Sequence, residues 1–93
     1  MKKIDLTIVE VNHMSLEDIV EAITGQKKPS VTFKLRRLPG KDYICNFTVL
    51  GKGGEAKDEY QSEPVPSMIG AVRDGAIKLL KDYGIDKIEE QVL

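Results

Sequence analysis

The chain has very little of the chemistry that most catalytic and metal sites need. Its 93 residues contain one cysteine, Cys45, and one histidine, His13. A single cysteine excludes an intramolecular disulfide and a cysteine-rich zinc site. A cysteine nucleophile activated by histidine would need both of these residues together. The sequence also shows no spacing typical of metal ligands, so we predict a protein without enzymatic activity, metal or cofactor.

Both residues have a structural interpretation. Cys45 shares one face of a predicted strand with Phe47 and Val49, where a free thiol behaves as a small buried hydrophobe. His13 lies in the connection before a predicted helix and is expected to be exposed.

The glycine-rich segment 51–54 differs from a phosphate-binding loop, because such loops lead directly into a helix and the next segment here is polar and strand-like. It indicates a hairpin connection.

The chain also lacks an excess of charge and any long apolar run. Its 14 basic and 15 acidic residues give a net charge of -1, so no chain-wide attraction to nucleic acid or anionic lipid is indicated. No apolar stretch approaches the roughly 20 residues that span a bilayer, and the start Met-Lys-Lys-Ile-Asp-Leu lacks the apolar run of a signal peptide. With 41% hydrophobic residues, residues 1–93 are expected to form one cytoplasmic domain without membrane contact.

The apolar periodicities that are present predict an α+β fold in the order β-α-β-β-β-α. Apolar residues alternate at Ile4, Leu6 and Ile8 and then at Val9 and Val11, which predicts a first strand with a change of face near its middle. Ser15 opens a helix, with Asp18 completing a pattern similar to a capping box. Gly25 is expected to end this helix in the left-handed conformation.

Three further alternating segments predict an antiparallel meander: 31–36, 43–50 and 56–62. The last is polar enough to lie at a sheet edge. Gly40 is expected to accept the positive φ of the first tight turn. Ser67 is expected to cap a long amphipathic helix that runs to about Tyr83. Its predicted buried face consists of Ile69, Val72, Ala76, Leu79, Leu80 and Tyr83. Gly70 and Gly75 inside this helix indicate close packing, and residues 85–93 predict a last helical turn. We expect an antiparallel sheet of four strands with two helices packed on one face.

Short motifs along this segment match one known family. They are Pro29-Ser30-Val31, Gly40-Lys41-Asp42, Phe47-Thr48-Val49, and Ser67, Ala71, Ala76 and Leu80 in the second helix. Together with the order helix, strand, strand, strand, helix, they resemble the double-stranded RNA-binding domain. That family contacts RNA through lysines at the start of its second helix. Met68, Ile69 and Val72 stand at those positions here, so the resemblance implies the family's topology without its RNA contacts.

Apolar residues outside the predicted core favour a protein-interaction module, such as a small adaptor or inhibitor of the kind carried by bacteria and their phages. The predicted first strand is apolar on both faces, and the tail adds apolar residues beyond the last helix. A partner protein, or a second copy in a homodimer, would cover them by sheet-edge addition or tail packing. The predicted contact residues are Ile4, Leu6, Ile8, Val9, Ile85, Ile88 and Val92.

A local excess of basic residues supports an alternative function, nucleic-acid binding. Residues 1–50 hold eight basic and six acidic residues, whereas residues 51–93 hold six basic and nine acidic ones. The cations around the first strand of the meander are expected to form one patch on the outer face of the sheet. They are Lys27, Lys28, Lys34, Arg36, Arg37 and Lys41. Stacking of single-stranded bases would rely on Tyr60, the one ring expected to be exposed on a strand.

Overall fold

The computed structural model describes residues 6–25, 30–51 and 53–83 of the chain. Their elements follow the order α1 (Ile8–Val11), α2 (Leu16–Thr24), β1 (Ser30–Arg37), β2 (Tyr43–Leu50), β3 (Ala56–Gln61) and α3 (Met68–Tyr83). The strands form an antiparallel sheet in the order β1-β2-β3, and α2 and α3 pack against it. This confirms the predicted α+β class, an antiparallel sheet with two helices packed on it.

The central strand β2 places alternate side chains in two different environments. Cys45, Phe47 and Val49 are fully buried, whereas Asn46 and Thr48 between them are half-buried on the opposite face. This period of two is what a strand requires when only one of its faces is covered by helices. The predicted bounds of this strand, and its place between two others, are confirmed.

A missing side chain allows α3 to lie close to β2. A Cβ atom on Gly75 would lie 3.3 Å from Cδ2 of Phe47 and 3.5 Å from the carbonyl oxygen of Cys45. Val72 and Leu79 belong to the same buried face of the helix, with no exposed surface. Gly75 therefore provides the close packing on the sheet that the sequence predicts for this helix.

The predicted first strand is wrong over residues 8–11, which form the helix α1. Oγ1 of Thr7 accepts a hydrogen bond from the Glu10 N–H at 3.2 Å, and the Glu10 carboxylate accepts one from the Thr7 N–H at 3.3 Å. This reciprocal capping box satisfies two donors and so stabilises a helix start. Val11 enters the core from a helix, and the sheet of the described residues has three strands instead of four.

The second helix begins at the predicted cap and ends with different geometry from the predicted one. The Ser15 hydroxyl accepts a hydrogen bond from the Asp18 N–H at 3.2 Å. At the other end, Gly25 has a φ of -76°, so the predicted left-handed conformation is wrong. The Gly25 N–H still donates to the Glu21 carbonyl oxygen at 2.9 Å, as it would in one more helical turn.

The turn between β1 and β2 has its positive φ at Lys41, where φ is 75°, and not at Gly40 as predicted. The Lys41 N–H donates to the Leu38 carbonyl oxygen at 3.0 Å, and the Leu38 N–H donates to the Asp42 carbonyl oxygen at 2.7 Å. Short hairpin loops closed by bonds of this kind commonly end on a residue in the left-handed region. That conformation costs a residue with a Cβ atom about 1–2 kcal/mol.

Replacing Lys41 with glycine is expected to stabilise the domain by about 0.5–1 kcal/mol, because the relief of left-handed strain exceeds the added freedom of the unfolded chain. Urea unfolding followed by circular dichroism measures the change. Gly40→Ala is the matched control, since φ at Gly40 is not positive and a Cβ there would meet nothing within 4 Å. A less stable Lys41→Gly protein would contradict this account of the turn.

Candidate functional site

The side chains of β1 from Val31 to Arg36 divide into a polar outer set and an apolar inner set. Lys34 and Arg36 are exposed on the outer face of the sheet, opposite the helices. On the inner face, Phe33 and Leu35 pack against the core but stay only half-buried, because β1 is an edge strand. The edge therefore combines exposed cations with apolar side chains that the domain itself covers incompletely.

The backbone of β1 has a row of hydrogen-bonding groups that point away from β2. Tyr43 exchanges hydrogen bonds with Val65, at 2.6 Å and 3.0 Å, so its peptide groups face the β3 side. Tyr43 and its β1 partner Arg37 therefore form a non-hydrogen-bonded pair. In such a pair the peptide groups of the two residues point away from each other, so the N–H and C=O of Arg37 point away from β2. Because peptide groups alternate along a strand, the N–H and C=O groups of Val31, Phe33 and Leu35 also point away from β2. No backbone hydrogen bond among the described residues reaches this row.

Four basic residues of this edge and its turn, which we call the basic edge, are exposed: Lys34, Arg36, Arg37 and Lys41. Within the described ranges none of them forms an ion pair. Lys78 differs, because its Nζ lies 3.3 Å from Glu63 and 3.4 Å from Asp74. The predicted Lys27 and Lys28 lie outside the described residues. The prediction of one patch on the outer face is wrong for Arg37, because its pairing with Tyr43 places it on the face that Leu35 shares. The basic edge thus presents positive charge that the rest of the described chain does not neutralise.

A groove of about 370 Å³ crosses the outer face of the sheet. It is lined by Thr32, Phe33, Lys34, Asn46, Thr48 and Glu59. The buried Oδ1 of Asn46 has no hydrogen-bond partner among the described residues. Glu59 brings a carboxylate into the same groove as Lys34, so the charge of this face is mixed and not uniformly positive.

The predicted exposure of Tyr60 is wrong, and this removes the expected stacking ring. Its side chain is half-buried on the helix side of the sheet, edge-on to Tyr83 with ring centroids 6.1 Å apart. Its hydroxyl donates to Asp82 at 2.8 Å. The remaining aromatic residues, Phe33, Tyr43 and Phe47, also lie in the core or pack against it. Within the described ranges no aromatic side chain is therefore exposed as a stacking ring needs to be.

The predicted apolar contact residues of the N-terminal segment do not share one surface. Leu6 is 5% exposed and belongs to the core, and Ile8 packs against that core. Val9 is 67% exposed. The predicted contacts at Ile4, Ile85, Ile88 and Val92 lie outside the described residues. The docking surface predicted on a first strand is consequently wrong for Leu6, which the domain covers itself.

The start of α3 presents little charge to a ligand. Met68 is 47% exposed and Ile69 is half-buried, while Val72 is fully buried. The Ser67 hydroxyl caps the helix by accepting a hydrogen bond from the Gly70 N–H at 3.0 Å. The first turn carries neither a basic nor an acidic side chain. A phosphate bound by the N-terminal amides of α3 would therefore have no basic side chain of the first turn beside it.

Cys45 is placed where a thiol is chemically inert. It has no exposed surface, which confirms the predicted core packing, and burial raises the pKa of its thiol to about 12. Its N–H donates to the Oγ of Ser62, itself 3% exposed, at 2.9 Å. His13 is exposed in the connection before α2, as predicted. Among the described residues no group of three or more histidine, cysteine or acidic side chains is arranged to hold a metal ion.

Sequence reasoning identified the cations of β1 but missed the free backbone edge beside them. The signal that would have revealed it was the meander itself, because a three-stranded meander places its first strand at an edge. The half-buried state of Phe33 and Leu35 follows from the same position.

Comparisons of the chain with models of protein families, with curated proteins and with solved structures found no match. In the part of the chain that the structure describes, no helix combines the length and the apolar character needed to cross a membrane.

Proposed function

We propose that the chain is a non-catalytic protein-interaction module, a small adaptor or inhibitor that binds an extended segment of another protein along β1. The single observation that carries this proposal is the outward row of backbone N–H and C=O groups on β1 beside the half-buried Phe33 and Leu35. An added strand gains main-chain hydrogen bonds from such an edge and obtains specificity from alternate side chains.

The apolar side chains at the edge favour a polypeptide over a polynucleotide. A strand added beside β1 brings its own side chains to both faces of the sheet, so it would cover Phe33 and Leu35 from the open side. Each apolar group removed from water contributes about 25 cal/mol per Å². A phosphate backbone would neutralise the basic edge and leave these two side chains uncovered.

The other features of the surface support the same choice. A protein that binds single strands needs exposed rings, and all the aromatic side chains here pack in or against the core. A duplex-binding relative of the family that the sequence resembles needs cations at the start of its second helix, and α3 begins with Met68 and Ile69. The resemblance to that family remains a prediction about topology.

Leu35→Pro is expected to abolish binding of extended peptides, because proline removes one outward N–H from the row on β1. Edge positions whose N–H faces solvent tolerate proline, so the fold should persist. Leu35→Ala is the matched control, since it removes the same side chain and keeps the N–H. Three fluorescent seven-residue peptides with valine at alternate positions, and threonine, glutamate or lysine between them, serve as probes in anisotropy titrations.

We expect at least one of these peptides to bind the natural protein and the Leu35→Ala protein but not Leu35→Pro, whose fold is verified by circular dichroism. Equal binding to all three proteins, or no binding of any peptide, would overturn the proposal.

Nucleic acid is the competing ligand in a parallel titration. Duplex and single-stranded RNA and DNA are added at two salt concentrations to the natural protein and to an Arg36→Glu/Arg37→Glu variant. Micromolar binding that falls with salt and is lost in the variant would identify a nucleic-acid-binding protein instead, because neutralised phosphates make affinity salt-dependent.

A further inference from the structure

We infer that the segment bound at β1 alternates acidic and apolar residues, in the pattern apolar, acidic, apolar, acidic, apolar. This inference rests on the proposed function and specifies the chemistry of its partner. It follows from which residues of β1 face which side, and from the position each would take in a new ladder.

An antiparallel strand added to β1 would form its hydrogen-bonded pairs at the residues whose peptide groups point outward, including Phe33 and Leu35. Lys34 and Arg36 would then occupy the non-hydrogen-bonded pairs. Cα atoms in such pairs lie about 4.5 Å apart, and their side chains approach more closely than in the other pairs. The two cations therefore stand where a partner's side chains would come nearest.

The charge of these two positions selects carboxylates on the outer face. Lys34 and Arg36 are exposed, lie two residues apart and form no ion pair with described residues. Opposite charges directly across a ladder stabilise it. Two acidic residues, also two positions apart in the bound strand, satisfy both cations at once.

The inner face selects apolar residues between these carboxylates. There the added side chains would lie next to Phe33 and Leu35, which the domain leaves half-buried. Val31, at the far end of the same row, is only 5% exposed, so it offers less new contact. The apolar contacts therefore concentrate at the middle of the strand.

A second copy of the chain is a poor occupant of this edge. Antiparallel pairing of β1 with its equivalent would place the two strands side by side in one sheet. Lys34 and Arg36 of one copy would then lie next to the same two cations of the other copy. Like charges across a ladder destabilise it, and charged residues on an edge strand act against self-association. The occupant is therefore a different segment with acidic character.

The test compares the valine peptides that carry glutamate, threonine or lysine at the two central outward positions, as in Thr-Val-Glu-Val-Glu-Val-Thr. The glutamate peptide is expected to bind between about twofold and thirtyfold more tightly than the threonine peptide, and the lysine peptide more weakly than both. Amide chemical shifts of Phe33 and Leu35 report whether binding occurs at the edge.

A charge-reversed protein, Lys34→Glu/Arg36→Glu, should invert this order and prefer the lysine peptide. The control Lys57→Glu/Lys81→Glu changes the net charge equally at exposed residues of β3 and α3 and should keep the natural preference. A simple attraction of opposite net charges would shift both variants alike.

The outcomes separate this inference from the proposal beneath it. Tight, proline-sensitive binding of the threonine peptide with no gain from glutamate would overturn the acidic pattern and retain strand addition. Binding of no peptide would overturn both. A doubling of mass by sedimentation, lost in the Leu35→Pro protein, would assign the edge to a second copy and overturn the inference.

Discussion

Replacing Phe47 with alanine is expected to lower the free energy of unfolding by about 3–5 kcal/mol, the usual cost of deleting a large aromatic side chain from a core. Phe47 lies on the central strand with no exposed surface. Its ring centroid is 5.7 Å from that of Phe33, and a Cβ on Gly75 would lie 3.3 Å from its Cδ2, closer than ordinary van der Waals contact. Because α3 approaches the sheet through this glycine, the neighbouring backbone leaves little freedom to fill the cavity.

Urea unfolding and thermal melts measure the Phe47→Ala effect. A change of this size should lower the melting temperature by roughly 12–40 °C, since 1 kcal/mol corresponds to about 4–8 °C in a domain of this length. Phe33→Ala is the matched control: the same ring is removed from a half-buried edge position, so its cost should be clearly smaller. Equal losses in the two proteins would show that α3 is not packed on the centre of the sheet.

Alkaline pH is expected to destabilise the domain through two tyrosines that join β3 to the end of α3. Burial, and then a hydrogen bond from its hydroxyl to Asp58, raise the pKa of Tyr83 from about 10 to about 12. Burial, followed by the bond to Asp82, also raises the pKa of Tyr60. Both hydroxyls donate to carboxylates, so loss of either proton would place two negative charges side by side.

The direction of the pH effect follows from proton linkage. The folded state holds the Tyr83 proton more tightly than the unfolded state, so its contribution is complete below about pH 10 and is lost as pH rises through about 12. Because Tyr83 is only 4% exposed, a shift of this size corresponds to about 2–3 kcal/mol. Tyr60 acts in the same direction.

Urea unfolding at several pH values between 7 and 12 tests this dependence. The Tyr60→Phe/Tyr83→Phe protein is the comparison, because it keeps both rings, Tyr43 and every lysine but lacks the two phenolic protons that bond to Asp82 and Asp58. We expect the natural protein to lose stability more steeply than this variant above pH 10. Parallel curves for the two proteins would show that the tyrosine protons do not contribute.

The sequence alone determined the elements whose periodicity extends over several turns or residue pairs. The bounds of β2 and the buried face of α3 could be predicted because eight and sixteen residues repeat a pattern that only one kind of element explains. The caps at Ser15 and Ser67 could be predicted for a related reason. Each depends on a hydroxyl and an N–H three residues apart, which the chain always keeps close.

Short elements and turn geometry were predicted less well, because alternatives of similar energy compete over a few residues. Residues 8–11 contain only one helical turn, and their apolar alternation fits a strand equally well until Thr7 and Glu10 cap each other. In the first hairpin, Gly40 and Lys41 are adjacent, and the hydrogen bonds at Leu38 decide which of them takes the positive φ.

The candidate site shows the same division between local and long-range information. Its cations at Lys34 and Arg36 could be predicted from their alternation with apolar neighbours, and their exposure is confirmed. The fate of Tyr60 could not, because its partner Asp82 lies 22 residues along the chain and reaches it only when α3 crosses the sheet. Local patterning thus determined that these two cations face water. Tertiary packing alone decided which rings are covered and that the backbone of β1 remains open, because strand order and helix placement depend on contacts between distant segments.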